Sequence, residues 1–171
     1  MITTDFNKLS KMDIDVITED IIKMHTELLT DKNFNVESLL NKVETEKTVH
    51  ELLDKVIKNL KHHIYKEEKI LFPYLVNLAK AVREEIPFEK PYFETVINPI
   101  KIMESDHEQI KEGIEQLQKI LNDEPNPTKI NSSVKEKIKN LIEYINKVIY
   151  LENKILFPKA LSLENKILTS S

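Results

Sequence analysis

The chain carries the run HIYKEEKILFP at residues 63–73 and a close copy, VIYLENKILFP, at residues 148–158. A repeat of this length indicates that the chain is built from two equivalent halves. The correspondence extends upstream, where His25 of the first half matches His107, the last residue of the run MESDH. Each half therefore has a histidine on one predicted helix and a carboxylate, Glu67 or Glu152, on the next. This arrangement predicts one buried site where the two halves pair.

Composition favours a helical protein with one domain spanning residues 1–171. The sequence has a single glycine, Gly113, whereas folds rich in β-turns need glycine wherever the backbone adopts positive φ. Charged residues make up 32% of the chain, and apolar residues are plentiful enough for amphipathic helices. The sequence has no cysteine, which excludes disulfides, thiolate-held iron–sulfur clusters and a thiol nucleophile.

Charge and hydropathy argue against two classes of partner. The formal net charge is −4 and the two signs are interspersed, so the sequence shows no basic face for nucleic acid. No apolar run reaches membrane-spanning length, and the first residues do not resemble a signal peptide. We therefore expect a cytoplasmic protein with no nucleic-acid or membrane partner. The sequence carries no signal for the oligomeric state.

Apolar residues recur at alternating spacings of three and four and predict amphipathic helices. The first predicted helix covers about residues 11–30, and the second covers about residues 44–82. Pro73 lies inside the second apolar pattern. It is expected to kink this helix, because proline lacks an amide donor and clashes with the preceding turn.

The second half has the same organisation. The third helix is predicted to start with Asn98 as its N-cap and Pro99 in its first helical position. The fourth carries its apolar stripe from Val134 onward, and Pro158 is expected to end or kink it. Antiparallel packing of four such helices predicts an all-α, up-down-up-down four-helix bundle. The two predicted helix pairs cover about residues 11–82 and 99–163.

Five ionisable residues interrupt the apolar stripes of these helices: His25, His63, Glu67, His107 and Glu152. A buried carboxylate is costly unless it is paired or binds a cation. A single buried histidine is most simply a core residue, but five ionisable groups at matching places in two halves predict a shared site. His63 and Glu67 are one helical turn apart and project from the same face. We therefore predict that all five residues are metal ligands.

The donor chemistry narrows the choice of metal. Imidazole and carboxylate without thiolate favour iron, manganese or zinc. Two carboxylates from opposite halves are placed to bridge two cations. Ferritin-like di-iron bundles use a different pattern, Glu-x-x-His on two helices, and that spacing occurs only once here, at Glu104–His107. The histidine-rich arrangement is therefore preferred.

Several polar neighbours are interpreted as lying outside the site. His50 and His62 lie off the helix face shared by the predicted ligands, so solvated roles are expected. Glu68 is adjacent to a predicted ligand but off its face, and it is expected on an exposed charged flank. Glu104 and Asp106 are either surface charges or groups that orient His107.

The ordered set of motifs resembles a known family. His25, the block from His63 to Pro73, the run MESDH at 103–107 and the block LENKILFP at 151–158 together resemble hemerythrin-like (HHE cation-binding) proteins. Within that family the sequence is most similar to the bacterial iron-centre repair di-iron (RIC) branch. The resemblance covers about residues 11–163. The small cysteine-containing N-terminal domain of many repair proteins has no counterpart in this sequence.

The resemblance implies a non-haem di-iron site with four histidines and two bridging glutamates. Carried over by position, the bridging carboxylates are Glu67 and Glu152, and three of the histidines are His25, His63 and His107. The fourth histidine position is occupied by Val148. Three outcomes are open: a di-iron site with one iron short of a nitrogen ligand, a largely mononuclear site, or a relative that binds no metal.

The resemblance also implies a function. It indicates a protein that reacts with nitric oxide or dioxygen under stress, or that helps to restore iron–sulfur clusters, with iron–sulfur proteins as clients. The alternatives are a non-enzymatic module that binds, senses or stores dioxygen, nitric oxide or iron, and a metal-free structural bundle. The pattern leaves open whether the site turns over a substrate.

Overall fold

The computed structural model describes residues 11–30, 34–88, 91–123 and 128–169. These residues form α-helices and contain no β-strand, as the sequence predicted. The helices are α1 (Ile14–Thr30), the short α2 (Val36–Lys42), α3 (Lys47–Lys66), α4 (Phe72–Glu84), α5 (Ile97–Leu121), α6 (Ser132–Leu151) and α7 (Phe157–Thr169). Two π-helical turns, Glu67–Leu71 and Glu152–Leu156, join α3 to α4 and α6 to α7.

Four long rods therefore make up the bundle: α1, the joined α3 and α4, α5, and the joined α6 and α7. The most extensive packing is between α3 and α5, while α1 packs on α4 and α6. The buried apolar stripes that the sequence predicted form one continuous core between the rods. Hydrophobic burial of this kind is the main force that stabilises such a bundle.

The two prolines do not end their helices. Each lies just after a π-helical turn, in which Phe72 N–H donates to Glu67 O and Phe157 N–H donates to Glu152 O. Of the two outcomes expected at Pro158, an end or a kink, the structure excludes the end, because α7 continues to Thr169. The longer hydrogen bond inserts an extra residue into the turn, so the helix passes a residue that has no N–H to donate.

Some predicted boundaries are also wrong. The third helix begins at Ile97, with Val96 in the N-cap position, so Asn98 and Pro99 lie inside its first turn. The Asn98 amide instead donates to Phe93 O in the preceding segment, 3.0 Å away. Proline is accepted there because the N–H groups of the first turn have no partner within the helix.

The approach of α3 to α5 is closest at the single glycine. A Cβ on Gly113 would lie 2.7 Å from Val56 Cγ2, closer than side chains tolerate. In this antiparallel pair, Val56 is two turns before His63 and Gly113 is less than two turns after His107. The glycine therefore lets the two helices approach where they carry these imidazoles. Among the described residues, no helix is both long and apolar enough to cross a bilayer.

Candidate metal centre

The structure brings the five predicted site residues to the middle of the bundle, and all five are buried. His25 comes from α1, His63 from the last turn of α3 and His107 from α5. Glu67 and Glu152 are the first residues of the two π-helical turns. Local helix geometry thus places each carboxylate one turn after position 63 or its counterpart, position 148.

Four of the five form a compact cluster. His63, Glu67, His107 and Glu152 each offer one ligand atom, and these atoms all lie within 4.8 Å of one another. His63 Nε2 is 2.9 Å from His107 Nε2 and 3.3 Å from Glu67 Oε2. His107 Nε2 is 3.0 Å from Glu152 Oε2. This cluster takes one histidine and one carboxylate from each half of the chain.

His25 lies on the other side of the two carboxylates. Its Nε2 atom is 3.2 Å from Glu152 Oε1 and 3.5 Å from Glu67 Oε2. The two carboxylates therefore stand between His25 and the pair formed by His63 and His107. His25 therefore borders the compact cluster on the side of the two carboxylates.

Unsatisfied polar atoms at the centre fit a cation. Among the described residues, both side-chain oxygens of Glu67 and the Oε2 atom of Glu152 are buried without a hydrogen bond of acceptable geometry. Buried carboxylate oxygens without partners are costly. His107 Nδ1 lies 2.9 Å from Asn153 Oδ1, and in the tautomer that donates to this oxygen the Nε2 lone pair points at Glu152 Oε2. A cation between these atoms would relieve both conflicts.

In the metal-free protein, the electrostatics of the cluster favour the protonated forms of His25 and His63. Burial by itself would lower the pKa of His25, but Glu152, Glu68 and Glu67 outweigh it and raise the pKa to about 9. Burial likewise opposes ionisation of His63, and the two central glutamates raise its pKa to about 10. The carboxylates differ: burial and the charge of Glu152 raise the pKa of Glu67. Burial by itself would raise the pKa of Glu152, but the neighbouring imidazoles outweigh it and hold this pKa well below the usual range.

Each histidine is also held from behind by a polar residue on a neighbouring rod. His25 Nδ1 lies 3.3 Å from Glu68 Oε1, and His63 Nδ1 lies 3.4 Å from Asp106 Oδ2. With Asn153 behind His107, every Nδ1 is engaged and every Nε2 faces the centre. This is the usual way in which outer groups orient metal-binding imidazoles.

These outer contacts correct two sequence-based interpretations. Glu68 was expected on an exposed flank, but it contacts His25, because the flank of one rod faces the back of the imidazole on the next. Asp106 contacts His63 on α3, not its neighbour His107, and it also forms an ion pair with Lys66. Asn153 was overlooked, although its place in the repeat matches that of Glu68 and could have revealed it.

Aromatic packing repeats in the same way. The His25 ring stacks on Phe72 with centroids 5.8 Å apart, and the His107 ring stacks on Phe157 with centroids 5.9 Å apart. The backbone N–H of each phenylalanine donates the π-helical hydrogen bond to the carbonyl oxygen of the central glutamate. The π-helical turn therefore positions both the carboxylate and the ring that packs on the imidazole. The two halves of the repeat therefore make the same histidine–phenylalanine contact.

The remaining candidates stay outside the centre. His62 and Glu104 are exposed, as expected for residues off the ligand face, and His50 is half-buried at the far end of α3. Val148 is buried, as is Met24 of α1. The metal-ligand roles of the five central residues remain a prediction that their geometry makes reasonable.

A helical bundle whose core holds three imidazoles and two carboxylates, several of their atoms unsatisfied, defines a cation-binding helical protein. The model of one family, the hemerythrin HHE cation binding domain, matches residues 16–160 of this 171-residue chain. The chain belongs to this family. No curated protein and no solved structure matches it.

Proposed function

We propose that this protein binds non-haem iron at the central cluster, as a di-iron protein of the iron-centre repair type. Its role would be to react with nitric oxide or dioxygen under stress, or to help restore iron–sulfur clusters in client proteins of the cytoplasm. The observation that carries the proposal is the set of buried Glu67 and Glu152 oxygens that lack hydrogen bonds while facing three imidazoles.

The donor set supports iron as one of three candidate metals. Imidazole nitrogens with carboxylate oxygens and no thiolate suit iron, manganese and zinc, and two shared carboxylates suit a pair of cations. A metal-free structural bundle is disfavoured because burying unsatisfied carboxylates at its centre would serve no purpose and would cost stability. The metal content of the purified protein decides between iron, manganese and zinc.

The residues of such a site have different roles. Bound iron supplies one-electron redox chemistry and affinity for dioxygen or nitric oxide. Glu67, Glu152 and the three histidines would hold the iron. Glu68, Asp106 and Asn153 hold the imidazoles in a fixed orientation, as their contacts with the Nδ1 atoms indicate. The apolar core around the cluster keeps bulk water away from it.

Metal analysis with spectroscopy tests the proposal. Protein isolated without added metal is expected to contain iron, and His63→Ala is expected to lose most of it. His62→Ala is a matched control, because this exposed neighbour lies outside the cluster and its loss is expected to change nothing. An iron-free wild-type protein that also fails to take up ferrous iron would refute the proposal.

A second measurement separates reaction from simple binding. The iron-loaded protein is mixed with nitric oxide or hydrogen peroxide, and consumption over several turnovers is followed. Repeated consumption, or recovery of a damaged iron–sulfur enzyme, supports the stress-response role. A single stoichiometric spectral change that reverses when the gas is removed would instead identify a diatomic-ligand binding module.

A further inference from the structure

The fourth corner of the site differs from the other three in more than one residue. His63 is held by Asp106, the residue that precedes His107 on α5. In the other half of the repeat, His63 corresponds to Val148, and the residue that precedes His25 is Met24. An imidazole and its carboxylate in one half thus correspond to two apolar residues in the other.

The helix register puts Met24 and Val148 at the same level of two neighbouring helices. α1 and α6 are neighbours in the bundle, and Tyr144 of α6 donates a hydrogen bond to Glu27 of α1. In antiparallel helices, one turn forward on α6 matches one turn back on α1, which leads from Tyr144 to Val148 and from Glu27 to Met24. Both residues are buried, with 3% and 4% of their surface exposed, whereas the side chain of Asp106 is 19% exposed.

We infer that Met24 and Val148 replace a histidine–carboxylate pair as a unit, and that they make the two cation positions of this site unequal. The position beside His63 and His107 has two imidazoles and two carboxylates. The position beside His25 has one imidazole and the same shared carboxylates, and its remaining wall is apolar. The first position is the tight one, and the second is filled only at higher metal concentration.

The inference rests on the proposed iron binding, but it concerns this chain's own departure from its repeat. A single substitution Val148→His restores only part of the corner, because the new imidazole would have no acceptor for its Nδ1 proton next to Met24. Outer partners of this kind contribute roughly 10- to 100-fold in metal affinity. The double substitution Met24→Asp with Val148→His restores both members of the pair.

Anaerobic titration of metal-free protein with ferrous iron, followed by calorimetry, tests the inference. The wild type is expected to bind one equivalent at least about 10-fold more tightly than a second. The double variant is expected to tighten the second equivalent by roughly 10- to 100-fold, and Val148→His alone is expected to give a smaller gain. The inference would be overturned if the wild type bound both equivalents of iron with equal affinity. It would also be overturned if Val148→His alone tightened the second equivalent as much as the double variant does.

A mirror variant covers the case in which the double variant fails to fold, as judged by circular dichroism. Asp106→Met copies one member of the apolar pair, Met24, into the other half, and it is expected to weaken binding of the first equivalent by roughly 10- to 100-fold. Glu104→Met is the matched control, since this residue is exposed on the same helix. An unchanged first equivalent in Asp106→Met contradicts the inference. A wild type that binds no ferrous iron refutes the proposed function itself, a result that is distinct from equal binding at both positions.

Discussion

Imidazolium groups hold the centre of the metal-free protein together. The raised pKa values of His25 and His63, about 9 and about 10, mean that both rings are protonated at neutral pH and neutralise the central carboxylates. A cation that binds there must displace those protons, because nitrogen ligands bind metal through a free lone pair. Metal and protons therefore compete for one set of atoms.

This competition predicts how the metal-free protein responds to pH. A histidine whose pKa is raised above its unfolded value of about 6.5 stabilises the fold below that pH, and the contribution is lost as pH rises through the folded pKa. The melting temperature of metal-free protein is therefore expected to fall between pH 7 and pH 9.5. His63→Gln should show a shallower fall, since one of the two groups is gone. If the melting temperatures of both proteins fall equally with pH, this prediction is contradicted.

Sequence reasoning identified the central residues but not the groups behind them. His25, His63 and Glu67 could be recognised because charge on an apolar stripe is conspicuous. Glu68 and Asn153 could not be recognised by the same rule, because they lie on polar flanks, where a charge is ordinary. Their contacts depend on how neighbouring rods are rotated against each other, which helix periodicity does not encode.

At the scale of elements, the π-helical turns were the main feature that periodicity missed. A proline one residue beyond Phe72 or Phe157 predicts an interruption, and the actual response is one wider turn that starts at the central glutamate. Such turns cluster at functional sites because they reposition side chains without ending the helix. The repeated proline in both halves was the available signal. It marked the right place for a departure from regular α-helix, but it did not reveal that the departure is a π-helical turn.

Gly113 provides a test of the α3–α5 contact. In a free helix, Gly→Ala would stabilise by about 1 kcal/mol. Here the new Cβ would meet Val56 Cγ2 at 2.7 Å, and a buried valine has little rotamer freedom with which to move away. Overpacking costs about 1–3 kcal/mol, so Gly113→Ala is expected to lower the free energy of unfolding by up to about 2 kcal/mol. Urea unfolding of the wild type and the variant measures this change in the free energy of unfolding.

A double-mutant cycle isolates the contact. Combining Gly113→Ala with Val56→Ala makes room for the new methyl group, so the double variant should be more stable than the sum of the single effects predicts. Additive effects would show that the two side chains do not compete for space. Iron affinity provides a second readout, since this contact sets the approach of His63 to His107.

Glu164 ties α7 to the start of α5. Its carboxylate accepts hydrogen bonds from Tyr74 OH, Thr95 Oγ1 and the Val96 N–H, all at a buried position. Burial, and then Glu164, raise the pKa of Tyr74, so the phenol remains a donor at any ordinary pH.

Truncation of this carboxylate is expected to be costly. Glu164→Ala leaves Tyr74 OH and Val96 N–H buried without an acceptor, and the free energy of unfolding is expected to fall by at least about 2 kcal/mol. Glu164→Gln keeps one acceptor oxygen and should lose less. Glu115→Ala, an exposed residue on α5, serves as the control in the same urea titrations. Equal stability of Glu164→Ala and this control would rule out the proposed tie.

At the scale of the whole molecule, the site links the two halves of the repeat. His63 contacts His107 across the halves, and His25 contacts Glu152 across them. The paired arrangement could be anticipated because a duplicated helix pair buries its polar groups only against its copy. The asymmetry at Val148 was visible in the sequence, whereas the inferred pairing with Met24 also required the packing of α1 against α6.

Because metal would bind residues from all four rods, metal removal tests the whole architecture. A ligand that binds only the folded state at 100 times its dissociation constant stabilises by about 2.7 kcal/mol. For a chain of this length, each kcal/mol shifts the melting temperature by about 2–4 °C, so chelation is expected to lower it by about 5–10 °C. His107→Ala should show almost no response to the chelator, because it removes one imidazole of the compact cluster. If wild type and His107→Ala shift equally in differential scanning calorimetry, the stabilising cation lies elsewhere and the four rods are held together by their apolar core alone.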